Sequence, residues 1–290
     1  MDNKKSITGE YKNQKKEYKK EYKLKKREAK RAYKEQKRLA KAERDEQKNI
    51  AKSEYGNKKT EIRSIYLSSL DAYYSSEEFL AQANPPRRAV IEEIGNAVTH
   101  GIGSVFSIIA YVLLLLKSTQ AVDYIAASVY FFGMFVMFTM SCLYHAFAYG
   151  SKVKRVFRRF DYSSIYLLIG ATFAPILLCF VGGAYGLVFF IAQWVIIATG
   201  ITLVGVFGPT RLRWLHIPLY VLLGWSALLF VPRMISNCLP LFFWVIGGGL
   251  TYSLGIIPFA LKKKVAHFIW HFFVLIGAVV FWIGIYSYVF

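Results

Sequence analysis

From about residue 98 onward the chain alternates between long apolar runs and short polar links. The runs cover 98–116, 124–149, 162–181, 185–207, 214–231, 239–261 and 268–290. Each is near the ~20 residues that cross ~30 Å of hydrocarbon as a helix. Only helices and closed barrels satisfy their backbone polar groups in lipid, and runs this long without polar alternation predict helices. The expected fold is therefore an all-α membrane protein, a bundle of seven transmembrane helices. Pro175, Pro218 and Pro258 fall inside three of the runs and predict kinks.

Residues 11–55 read differently. Lys, Glu, Arg, Gln and Ala dominate, all good helix formers. Charges of both signs recur three and four residues apart, the pattern of an exposed helix. Its apolar stripe is thin (Tyr11, Tyr18, Tyr22, Leu24, Tyr33) and does not sustain the heptads of a coiled coil. Pro85–Pro86 then breaks the chain, and Arg87–Arg88 marks the water side of the first crossing. Two regions are expected: 1–90, a basic, partly helical or disordered cytoplasmic arm, and 91–290, the transmembrane domain.

Charge separates the same two regions. Residues 1–90 carry 25 Lys and Arg against 14 Asp and Glu, and residues 91–290 carry 12 against 4. Two hundred residues with so few charges are not an ordinary soluble domain, where about 25% of residues are charged. The first long apolar run begins far from the start, so no secretory signal is expected. The cysteines, Cys142, Cys179 and Cys238, are scattered singly and predict neither disulfides nor a CxxC metal pair. The basic arm points to anionic lipid headgroups as a partner, since each Lys or Arg near such a surface gains about 1 kcal/mol. No recognition motif accompanies the charge, so no specific nucleic acid is expected.

The links give an orientation. Lys152, Lys154, Arg155, Arg158, Arg159, Arg211, Arg213, Lys262, Lys263 and Lys264 lie in alternate links, against Lys117 and Arg233 in the others. Positive links stay inside, which places the N-terminus in the cytoplasm, the C-terminus outside, and the protein in the plasma or inner membrane.

Ionisable residues inside spans are costly and mark function. After residue 90 there are four carboxylates and five histidines. Given this topology, Glu93, His100, His145, Asp161, His267 and His271 all fall in the cytoplasmic leaflet. The pair His267 and His271 lies one turn apart on one helical face and can hold one metal ion. With His145 as third ligand and an open fourth position, it forms the set that catalytic zinc uses. The plain alternative is a pair of interfacial histidines bonded to loops or headgroups. Ser141, four residues before His145, shares its helical face. Asp161 is placed to act as a base or to orient a histidine, and it can equally cap the third helix. Glu93, Asn96 and His100 form one stripe that supports the site or its mouth. Glu92 points away, and His216 reads as an interface histidine.

Four segments, EEIGNAVTHGIG (92–103), SCLYH (141–145), RRFDYSSIY (158–166) and HFIWH (267–271), resemble the hemolysin III family, which belongs with the progestin and adiponectin receptors. The resemblance covers about 90–290 and leaves the arm outside it. It implies a seven-helix bundle with a cytoplasmic N-terminus and a zinc ion in the inner leaflet, held at the positions of His145, His267 and His271. Ser141 and Asp161 match the family's nearby polar positions. The wider grouping, which includes alkaline ceramidases, implies hydrolysis of a lipid amide, so a zinc-dependent hydrolase of lipid amides or esters is the expected function. The alternatives are a receptor or homeostasis protein with a structural zinc, and the pore former that the family name invites.

Overall fold

The computed structural model describes residues 2–75, 85–261 and 263–290. Residues 1 and 76–84 of the arm, and Lys262 of the last basic link, lie outside them. The chain divides into two compact units, Met1–Ser76 and Glu77–Phe290.

The first unit is one helix, α1, Asp2–Ser75. Over residues 9–73 its side chains face solvent almost throughout. It has no core of its own, so its helicity rests on the intrinsic preference of its Lys-, Glu- and Ala-rich sequence and on local pairs such as Glu21–Lys25 at 2.8 Å.

The second unit holds seven helices long and apolar enough to span a membrane: α2 Val90–Lys117, α3 Ala121–Ala146, α4 Lys152–Val181, α5 Gly183–Phe207, α6 Arg213–Asn237, α7 Leu239–Ala260 and α8 Ala266–Tyr288. No strand is present among the described residues. The expected seven-span bundle is thus the observed fold. The pairs α2–α3, α3–α4 and α7–α8 pack closely, and α8 returns to α2. Small residues permit this approach: a side chain on Gly133 would collide with the Ala171 side chain and the Leu167 carbonyl across α3–α4. The core runs through Tyr130, Met134, Phe138, Phe173, Met234 and Phe281. Outward faces such as Ile102, Val105, Ile109 and Leu116 are apolar and exposed, as lipid contact requires.

Two starts differ from the hydropathy reading. Helix α2 begins at Val90, so Glu93 and Asn96 lie within it. Helix α4 begins at Lys152 and is capped by Ser151, whose hydroxyl accepts from the Lys154 amide at 3.1 Å. Asp161 therefore lies in the helix interior and is not its cap. Charged first turns hid both starts, because a hydropathy window sees only the apolar part of a helix. The prolines also act unevenly. Beyond Pro175 the helix continues as a π turn, Ile176–Val181. The irregular part of α6 is a 3₁₀ turn at Ser226–Phe230, well past Pro218.

Candidate metal centre

The first turns of α8 carry His267 and His271 on one face. The last turns of α3 bring Ser141 and His145 to the same end of the bundle. The His267 Nε2 lies 3.2 Å from the His271 Nε2 and 3.4 Å from the His145 Nε2. One ligand atom from each of the three histidines lies within 4.8 Å of the others, so the group can hold a metal ion. A tetrahedral ion with ~2.05 Å bonds to nitrogen separates its ligands by about 3.3 Å, which the two distances from His267 fit. His145 and His271 are buried.

The remote nitrogen of His145 has a partner of its own. Its Nδ1 donates to the Glu93 Oε2 of α2, a short hydrogen bond that leaves Nε2 free to ligate. The Asn96 amide lies 3.3 Å from the same nitrogen. His100, one further turn along α2, stacks on His271 with ring centroids 3.8 Å apart. Both His100 nitrogens are buried with no hydrogen-bond partner among the described residues.

One participant was not legible as such. Lys154 counted as a charge in a cytoplasmic link, yet its side chain is only 1% exposed. Its Nζ donates to the Tyr144 and Phe147 carbonyls, both at 2.9 Å, and reaches the His145 carbonyl at 3.4 Å. These are end carbonyls of α3, which otherwise lack partners. The same ammonium stands 3.3 Å from the Glu93 Oε1, with Arg88 at 4.0 Å. One buried lysine thus ties α4 to the end of the helix that carries His145 and to the carboxylate that orients it. The available signal was Ser151, an N-cap residue that would have started α4 early enough to bring Lys154 inside.

A cavity of about 130 Å³ adjoins the histidines. His100, Ser141, Asp161 and His271 line its polar end. Ser141 is buried and lines this end of the cavity together with Asp161. The rest of the wall is mostly apolar, with Ile165, Leu168, Ile217, Val221, Ile256 and Val274, and it also includes the hydroxyl-bearing Thr172, Tyr252 and Ser253. His216, read as an interface residue, is instead buried against Tyr166, whose hydroxyl lies 2.9 Å from the His216 Nδ1, and it stands outside the histidine group. The cysteines are free and half-buried.

This geometry occurs in a chain with known relatives. It is 34% identical to "Hemolysin-3" of Bacillus cereus over 194 residues, covering 65% of this chain and 88% of that protein. It is 32% identical to "Hemolysin-3 homolog" of Bacillus subtilis (strain 168) over 192 residues, 64% of this chain and 89% of the relative. "Monocyte to macrophage differentiation factor" of Homo sapiens matches at 28% over 207 residues, 69% of this chain and 85% of its own length. Residues 88–282, which contain every histidine described above, match the family described as Haemolysin-III related. The chain is a multi-pass membrane protein and belongs to that Haemolysin-III related family.

Proposed function

We propose that the protein is a zinc-dependent membrane hydrolase that cleaves a lipid amide or ester in the cytoplasmic half of the bilayer. The observation that carries this reading is that a group of three imidazole nitrogens within 4.8 Å of one another meets, at His271, a largely apolar cavity that Ser141 and Asp161 also line. His145, His267 and His271 would hold the ion. Zinc is favoured among metals because three neutral imidazoles with an open fourth position are its usual catalytic set. When bound, it supplies Lewis acidity that polarises an acyl carbonyl and acidifies water.

The chain's own groups divide the remaining work. The apolar wall excludes water from the acyl chain and positions the carbonyl at the polar end. Asp161 takes the proton of the attacking water and returns it to the leaving amine or alcohol. The Ser141 hydroxyl donates to the oxygen on which charge develops. Glu93 keeps His145 in the tautomer that presents Nε2. The excess of Lys and Arg on alternate links supports a cytoplasmic side for this end of the bundle.

Turnover of ceramide-like amides and acyl esters by the purified protein tests the proposal. Hydrolysis that is abolished by chelation and by His271→Ala is expected. Hydrolysis that survives both rules out the mechanism.

A second reading has an observation behind it. The three ligands come from α3 and α8 alone, so a metal held there would also staple those helices in a non-enzymatic protein. A large loss of melting temperature on chelation, with no turnover of any lipid offered, favours the staple. Lysis, to which the names of the Bacillus relatives point, ranks below both, because seven apolar spans give the chain no soluble route out of its own membrane.

A further inference from the structure

The exposed helix α1 carries a period that heptad reading misses. Tyrosine recurs every eleventh residue at Tyr11, Tyr22, Tyr33, Tyr55 and Tyr66, with Arg44 in the one gap. Four residues before positions 22, 33, 44, 55 and 66 stands a second small or apolar side chain: Tyr18, Ala29, Ala40, Ala51 and Ile62. Lysine follows in the same register at Lys15, Lys26, Lys37, Lys48 and Lys59. Eleven residues in three turns is about 3.67 per turn, so the stripe stays on one face of a nearly straight helix and favours a slight right-handed supercoil.

Among the described residues of α1 from Tyr11 to Tyr66, that face is open to solvent. Tyr18 is 73% and Tyr55 72% exposed, and the bands beside them are equally open. The bands differ in sign. On one side run Lys19, Lys30, Lys41 and Lys52. On the other run Glu10, Glu21, Glu43 and Glu54.

We infer that α1 is a self-association element that pairs in parallel with α1 of a second copy. Two parallel helices related by a two-fold axis along their length bring the basic band of each against the acidic band of the other. An antiparallel pair would set lysine against lysine. Connectivity agrees, since copies inserted the same way in one membrane are both tethered at the same end of α1. A lipid-surface helix fits less well: it flanks its apolar stripe with cations on both sides and keeps acids on the far face, whereas here a glutamate row runs along one flank, just beyond a row of Gln14, Lys25, Gln36, Gln47 and Lys58.

The test is disulfide coupling of the full-length protein in its membrane, with wild type as background for the native cysteines. Tyr33→Cys and Tyr55→Cys lie on the stripe, and Arg31→Cys and Ser53→Cys lie opposite. Roughly tenfold more linked dimer is expected from the first pair, because side chains half a helical turn from the contact cannot meet. Mixing tagged Tyr33→Cys with Tyr55→Cys should give no 33–55 link. Reversing Lys19, Lys30, Lys41 and Lys52 to Glu should abolish the coupling, and reversing Glu10, Glu21, Glu43 and Glu54 to Lys in the same chain should restore it. Equal coupling on both faces, a dominant 33–55 link, or no coupling overturns the inference. So does shielding of the stripe cysteines from a water-soluble maleimide only when anionic lipid is present, which would assign α1 to headgroups instead.

Discussion

The carboxylate of Glu93 on α2 holds the Nδ1 of His145 on α3, and the Nε2 of the same ring then faces the His267 Nε2 at 3.4 Å. A single hydrogen bond sets both the tautomer and the direction of a candidate ligand. Three helices share in this, because His267 belongs to α8.

Removing that restraint should weaken metal binding without unfolding the bundle. Glu93→Gln keeps the shape but loses the charge-assisted bond, and partners of this kind are worth about 10- to 100-fold in affinity. Competition against a chelator of known affinity reads the change. An unaltered affinity would show that Glu93 does not orient the ligand.

His145→Ala should lower the bound metal to background in elemental analysis of purified protein. Chelation should then lower the melting temperature of wild type and leave the variant unmoved. An ion at 100 times its dissociation constant adds about 2.7 kcal/mol to the folded state. Equal metal content in both proteins would remove His145 from the site.

Metal binding should also weaken in acid. The ligating nitrogens must be unprotonated, so protons compete with the ion and affinity falls as pH is lowered. Chelator competition at a series of pH values checks the sign. A flat profile would point away from imidazole ligands.

Lys154→Met should be among the more damaging changes at this end of the bundle. It leaves the Glu93 carboxylate without its nearest cation and three carbonyls at the end of α3 without their donor. Breaking such a buried pair costs about 3 kcal/mol. Adding Glu93→Gln to the same chain should recover part of the loss in thermal unfolding. Strictly additive losses would show that the two side chains do not interact.

Val265 precedes α8 with φ of 61°, a left-handed conformation that a β-branched residue adopts at a cost of about 1–3 kcal/mol. Val265→Gly should therefore raise the melting temperature, offset in part by the greater freedom of glycine in the unfolded chain. A lower melting temperature would mean that the valine side chain contributes more than its backbone costs.

The number of spans was legible because lipid imposes it: a helix must stay apolar for about 20 residues, and that constraint is local to each run. The histidine candidates were legible for a related reason, since an ionisable group among such runs stands out against its surroundings. Spacing in a single helix also declared the His267–His271 pair. The partners of those groups were not legible. Ser151, as an N-cap, could have started α4 early and put Lys154 and Asp161 inside it, but nothing near Lys154 in the chain shows that its ammonium fills the end of α3 and meets Glu93. Nothing near His216 shows that Tyr166 waits for it across fifty residues. Hydropathy and helical period act between neighbours in sequence, whereas a buried charge finds its partner only when packed helices bring distant residues together. The polar interior of the site is therefore a property of the assembled bundle.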